Sequence, residues 1–191
     1  ANGGRGYYGT DSLHNRSIAA DYYDWKGFVG IVRKLQPGCI VHGGGLTDIR
    51  WVGNEEGHAA ETHWSSIRPN EQFDKDKSHP QQLNTGHEDG TSWLPSETDV
   101  SVRPGWYYHA FEDHKVKTLP KLTDIYYESV GRNSLLLLNL SPDKRGLVHP
   151  IDSVRLLEWK RQLDLDFREN LISKNCRFSS GEPKNLKSAF D

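Results

Sequence analysis

With 24 basic and 26 acidic side chains among 191 residues the formal charge is -2, so no field of one sign draws the chain to phosphate backbones or anionic lipid, and neither nucleic acid nor a membrane surface is an expected partner. The length suffices to bury a core, yet only 35% of the residues are hydrophobic, while six Trp, eight Tyr and 18 Gly indicate long aromatic-rich loops around a modest one. Cys39 and Cys176 make neither a disulfide framework nor a zinc spacing, and no run approaches the roughly 20 apolar residues of a spanning helix.

The opening ANGGRGYYGT has neither the apolar core nor the charged start of a signal peptide, and its glycines lack the flanking strand and helix of a nucleotide fingerprint. Residues 21–36 then set Trp25, Phe28, Val29, Val32 and Leu35 on one helical face, and the pattern stops at Pro37-Gly38. Residues 39–42 read as a buried strand opening into Gly43-Gly44-Gly45. The stretch from there to Ser96 is far longer than an ordinary connection, which marks it as a functional loop. Alternating Val100 and Val102 predict a strand over 99–103.

A second helix is expected over 118–130, with Leu119, Leu122, Ile125 and Tyr126 on one face, Thr118 as cap, Pro120 in the first turn and Gly131 as stop. The continuous apolar run 134–140 reads as a strand covered on both faces, as parallel sheets require. Pro150 opens a third helix carrying Val154, Leu157, Trp159, Leu163 and Phe167 to about residue 170. This order predicts an α/β fold with a parallel sheet. Clusters of polar and aromatic residues after strands favour a partial (β/α)8-like, TIM-type barrel over a doubly wound open sheet. Residues 1–170 form one unit on this reading, and 171–191 lose the periodicity and read as a linker into another domain.

Two clusters carry the chemistry. Residues 47–65 pack Asp48, Glu55, Glu56 and Glu61 among Arg50, His58, His63, Trp51 and Trp64. Carboxyls beside indole faces suit a sugar, because an apolar wall keeps a carboxyl protonated as a general acid and Trp faces stack on the C–H surface of a pyranose. In the second cluster the strand at 99–103 delivers Arg103, Trp106 and His109 to its C-terminal end, where a barrel meets its substrate. His109 and His114 share a loop rather than the one-turn helical spacing of a zinc pair, so no metal site is expected. Asn15-Arg16-Ser17 and Asn139-Leu140-Ser141 match the glycosylation triplet, the second inside an expected buried strand where it has no such role.

The strings DWKGFVGIVRKLQP, DIRWVGNEEG, ETHWS, SETDVSVRPGWYYH and YYESVGRNSLLLLNLSPDKRGLVH together resemble the α-L-fucosidases of glycoside hydrolase family 29, above all the bacterial branch. The resemblance runs from residue 1 to about 170. It implies the C-terminal half of the catalytic barrel, with the start of a β-sandwich at 171–191 and the upstream half of the same barrel as its necessary partner. It also implies retaining release of α-L-fucose from a fucosylated oligosaccharide or glycoconjugate, without a cofactor, by a periplasmic or secreted protein. Glu55, rather than its neighbour Glu56, maps onto the acid/base glutamate, and the nucleophilic Asp is expected just upstream of Ala1. Trp106 and His109 resemble fucose-pocket residues, and Trp51, His42 and Trp64 join them by loop position. The alternatives are a sugar-binding or degenerate fucosidase-like protein without catalysis, and an inverting or differently specific glycosidase on the same barrel.

Overall fold

The computed structural model describes residues 7–8, 16–17, 23–43, 47–68 and 80–169. The expected linker at 171–191, Cys176 and the residues beside Ala1 lie outside them. Strands β1 (Tyr7–Tyr8) and β2 (Arg16–Ser17) form an antiparallel pair. Helix α1 (Trp25–Leu35) follows, with the Asp24 carboxylate accepting from the Gly27 N–H at its start. Strands β3 (His42–Gly43), β4 (Ile49–Trp51), β7 (Ser96–Ser101) and β8 (Leu135–Asn139) make a four-stranded parallel sheet in that spatial order. Between β4 and β7 lie β5 (Ser66–Ile67), the short helix α2 (Pro80–Thr85) and β6 (Ser92–Trp93), with β5 and β6 antiparallel. Helix α3 (Leu119–Ser129) separates β7 from β8, and α4 (Pro150–Asp166) follows β8.

The fold is thus α/β with a parallel sheet, and the four strands do not close on themselves. Alternation along β7 and β8 sorts the side chains to two faces. Val100, Leu136 and Leu138 pack with Leu122 and Ile125 of α3 and Trp159 of α4. Glu97, Asp99, Leu135 and Leu137 point the opposite way, in register Glu97 to Leu135 and Asp99 to Leu137. The expected double cover of the leucine run is therefore half realised: among the described residues Leu135 and Leu137 remain 47% and 51% exposed. The stripe of α1 is likewise open, with Trp25, Phe28 and Leu35 exposed. Both places leave large apolar side chains exposed among the described residues.

Two expected strands are placed differently: the one read as buried over 39–42 is confined to His42–Gly43, with Ile40 exposed. The strand expected at 99–103 begins earlier, at Ser96, and the run from Gly43 to Ser96 contains β4, whose three residues are too few for periodicity to reveal. Nor is that run one loop above the sheet. After β4 the chain turns at Gly57 and descends the outer face, Ala59 N–H bonding the Glu128 carbonyl and Arg132 bonding the Ala59 carbonyl at 2.7 Å. The β5–β6 lobe then lies where β7 begins, with Leu94 N–H donating to the Ser65 carbonyl. Gly57 sits at φ +78°, and a Cβ there would come 2.9 Å from both Ile125 Cγ2 and Val100 Cγ1, so only glycine lets the descending chain lie on this core.

Two buried arginines secure the assembly. Arg50, fully buried, meets no carboxylate among the described residues: it donates to the carbonyls of Leu83 (2.9 Å), Trp64 (2.6 Å) and Leu94, tying the β5–β6 lobe to β4. Burial holds its pKa down to about 10. Beside it His63 meets the Ser96 hydroxyl at 2.6 Å, and burial together with the Arg50 charge lowers its pKa to about 4. Arg103 leaves the end of β7 and makes two 2.9 Å bonds to Asp152 of α4, both side chains wholly buried, while Asp113 adds a third contact at 3.0 Å. Arg103, expected among substrate-facing residues, is therefore part of the frame.

Replacing Asp152 by Ala leaves a buried guanidinium short of its counter-charge and should cost about 3–5 kcal/mol, read as a lowered midpoint in urea denaturation. His63 supplies a pH signature. Unfolded, it takes up its proton near 6.5, whereas folded it refuses one until about 4, so stability should fall as pH drops through that window. Denaturation of a His63→Gln variant at pH 7, 5.5 and 4.5 should show a flatter decline than the parent.

Candidate active site

At the C-terminal edge of the sheet the loops that follow β4 and β7 meet. The loop after β4 is organised by Asn54, whose side chain accepts from the Glu56 N–H at 3.1 Å and donates to the His58 carbonyl at 3.0 Å, which turns Glu55 outward. The loop after β7 passes Pro104 and Gly105 and presents Trp106. The Trp106 indole N–H donates to Glu55 Oε2 at 2.8 Å, joining residues 51 positions apart. Glu55 is exposed and Trp106 half-buried. The expected apolar wall around the acid is thus replaced by a directed hydrogen bond: the indole offers its N–H, not its face, to the carboxylate.

Along the inner face, below this pair, lies a second polar group. Trp51 donates its indole N–H to Asp99 Oδ1 at 2.7 Å, and His42 Nε2 stands 3.2 Å from Glu97 Oε1 across the intervening strand. Burial raises the Glu97 pKa above the ordinary carboxylate range, His42 draws it back, and the neighbouring Asp99 pushes it up again. His42 and Trp51 are consequently on the same sheet face as Glu97 and Asp99, at the start of β3 and the end of β4. Period-two reading of SETDVS would have set Glu97 and Asp99 on one face, but which face it was depends on where the helices pack.

The other expected site residues are distributed differently. His109 is exposed and stacks on Phe111, ring centroids 5.4 Å apart, with no hydrogen bond to Glu55 or Trp106. Trp64 is not brought to this edge: its N–H donates to the Thr85 carbonyl and its own carbonyl accepts from Arg50, next to the β5–β6 lobe where β7 begins. The acids of the first cluster also part company. Asp48 accepts two 2.7 Å bonds from Arg33 of α1, which hold its pKa low with help from the Val41 N–H, and so it fixes the turn between β3 and β4. Glu56 and Glu61 are exposed. An edge bearing an indole-bound carboxylate, above a face with two more carboxylates, an imidazole and a second indole, has the acids for proton transfer and the donors and acceptors for a polyhydroxylated ligand.

No protein-family model matches the chain. It is 38% identical over 154 residues to Alpha-L-fucosidase 1 of Arabidopsis thaliana, an alignment covering 80% of this chain and 29% of the relative. Its fold superposes on a glycoside hydrolase 29 family member from an unknown rumen bacterium with a TM-score of 0.80 and 42% identity, covering 95% of this chain and 32% of that one. A family 29 fucosidase of Ruminococcus gnavus, solved in complex with fucose, matches with a TM-score of 0.69 and 29% identity over 86% of this chain and 33% of its own. The chain therefore spans about three tenths of the length of these relatives. With sequence identity and superposed fold agreeing over most of its residues, the chain belongs to glycoside hydrolase family 29.

Proposed function

We infer that this chain is the acid/base part of a retaining α-L-fucosidase, one section of a (β/α)8 barrel whose remaining strands come from the rest of a longer protein. The observation that carries the reading is the 2.8 Å bond from Trp106 to Glu55 at the edge where the β4 and β7 loops converge. Support comes from the relatives named α-L-fucosidase and from the fucose complex of the Ruminococcus gnavus protein. The open inner face, with exposed Leu135 and Leu137, also suits a sheet that continues beyond these four strands.

On this reading a carboxylate from another part of the protein attacks the anomeric carbon of an α-L-fucoside while Glu55 gives its proton to the departing glycosidic oxygen. Glu55, now a carboxylate, then takes a proton from the water that attacks the fucosyl-enzyme ester, and the sugar leaves with its configuration retained. The two carboxyls stand about 5–5.5 Å apart in such a pair, too close for a water between them. Trp106 orients Glu55. His42, Trp51 and His109 offer contacts to sugar hydroxyls and C–H faces, whereas Trp64 at the opposite edge takes no part.

In the full-length protein, Glu55→Gln should lower kcat by about 10²–10⁴ on fucosides with poor leaving groups and far less on activated aryl fucosides, since a good leaving group departs without a proton. Equal losses on both would reject Glu55 as proton donor, and NMR detection of the inverted anomer as first product would reject the retaining mechanism.

A further inference from the structure

The loop that carries Trp106 is held by side chains for which the mechanism above has no use. β7 and β8 end side by side, Ser101 in register with Asn139. The Asn139 side-chain amide lies between them and donates to the Ser101 hydroxyl at 3.0 Å, the Trp106 carbonyl at 3.1 Å and the Ser141 hydroxyl at 3.2 Å. Ser141 donates to the same Trp106 carbonyl at 2.7 Å, and Ser101 donates to the Gly105 carbonyl at 2.7 Å while accepting from the Arg103 N–H at 3.3 Å. Ser101 and Ser141 are 6% and 2% exposed and Asn139 is half-buried, so the clamp is more shielded than the exposed carboxylate it serves.

On the other side of the same strand end, Lys117 Nζ bonds the Ser101 carbonyl at 2.6 Å, and Arg103 is locked to Asp152. The backbone of Trp106 thus has two donors on one carbonyl and is tied to two strands. The far end of the residue, the indole N–H, meets Glu55. A buried hydrogen-bond network with its members satisfied is stiff, and a side chain on a fixed backbone keeps its partner within the narrow range of positions that proton transfer tolerates.

We propose that Asn139 and Ser141 are positioning residues for the Glu55 carboxyl, acting through the backbone of Trp106. This rests on Glu55 being the proton donor. Nothing in the clamp touches substrate; its effect is to hold one oxygen of Glu55 so that the other faces the leaving group. The Asn139-Leu140-Ser141 triplet, which imitates a glycosylation signal, has its amide and hydroxyl committed to this loop. Among the described residues the carboxyl of Glu55 and the hydroxyl of Ser141 are linked through Trp106, which makes the coupling separable by mutation.

The test compares the full-length protein with Ser141→Ala, Ser141→Thr, Trp106→Phe, the Ser141→Ala/Trp106→Phe double variant and Glu55→Gln, on a poor-leaving-group fucoside and an activated aryl fucoside. Ser141→Ala should lower kcat on the poor leaving group by about 10- to 100-fold with KM little changed, and lower it much less on the activated one. Ser141→Thr, which keeps the hydroxyl, should restore most of the loss. In the Trp106→Phe background Ser141→Ala should cost no further activity. Should the alanine variant fail to fold, Ser141→Cys, which keeps the volume and weakens the donor, carries the same expectation. If Glu55→Gln shows the leaving-group selectivity but Ser141→Ala slows both substrates alike, or its loss adds in full to that of Trp106→Phe, the clamp is structural only and the proposal falls alone. If Glu55→Gln itself slows both alike, the proton-donor reading falls and takes this one with it.

Discussion

The arrangement turns on a buried ion pair. Arg103 stands at the point where β7 stops being strand, and its guanidinium reaches α4 in a two-bond contact with Asp152 from which solvent is excluded. Two charges removed from water stabilise a fold only when they are closely compensated: Asp152 takes hydrogen bonds from two of the guanidinium nitrogens, Asp113 stands 3.0 Å from the third as an ion pair without hydrogen-bond geometry, and the ring of Tyr108 lies 4.7 Å from the charge. What such a pair adds is direction. It leaves the strand end, the 3₁₀ turn at Ala110–Lys115 and the start of α4 one mutual position, and the Trp106 loop hangs between these anchors.

Around that frame the sheet separates two environments. Its outer face, with Val100, Leu136 and Leu138, is apolar and covered by α3 and α4. Its inner face mixes carboxylates with leucines, the pattern of a surface that meets both a polar ligand and further packing. The stretch after β4 crosses from one environment to the other: it starts with Glu55 at the edge where the β4 and β7 loops meet, bends over the core at Gly57 and ends at the opposite edge with His63 and Trp64. Residues that are neighbours in the sequence cluster 47–65 therefore belong to two ends of the molecule. Arg50 and Trp51, adjacent in β4, illustrate it most simply: one is buried among carbonyls on the outer side, and the other donates to Asp99 on the inner side.

Much of this was legible beforehand. α3 begins where Thr118 and Pro120 place it and α4 opens at Pro150, because caps and prolines act within a turn of the residues that carry them, whereas Gly131 does not stop the chain: a 3₁₀ turn over Val130–Arg132 carries it on to Asn133 at φ +64°. β8 coincides with the leucine run. Glu55 and Trp106 stand out in the sequence by the strings that carry them, and in the structure they meet. β4, at three residues, was too short to announce itself, and the long run from 43 to 96 concealed a crossover between sheet edges that length alone does not distinguish from a single active-site loop.

By itself, then, the sequence determined helices α1, α3 and α4, the leucine strand β8 and the family strings, all consequences of spacing within a few residues. The tertiary structure decided the rest: the parity by which Glu97 and Asp99 face inward, the use of Arg50 and Arg103 as buried struts, the placing of Trp64 away from the edge, and the seating of Trp106 by Asn139 and Ser141. Each of these depends on parallel register or on contacts between residues 14 to 51 positions apart. Such pairings are selected by which faces exclude water together, a property of the assembled sheet and helices and not of any local stretch of chain.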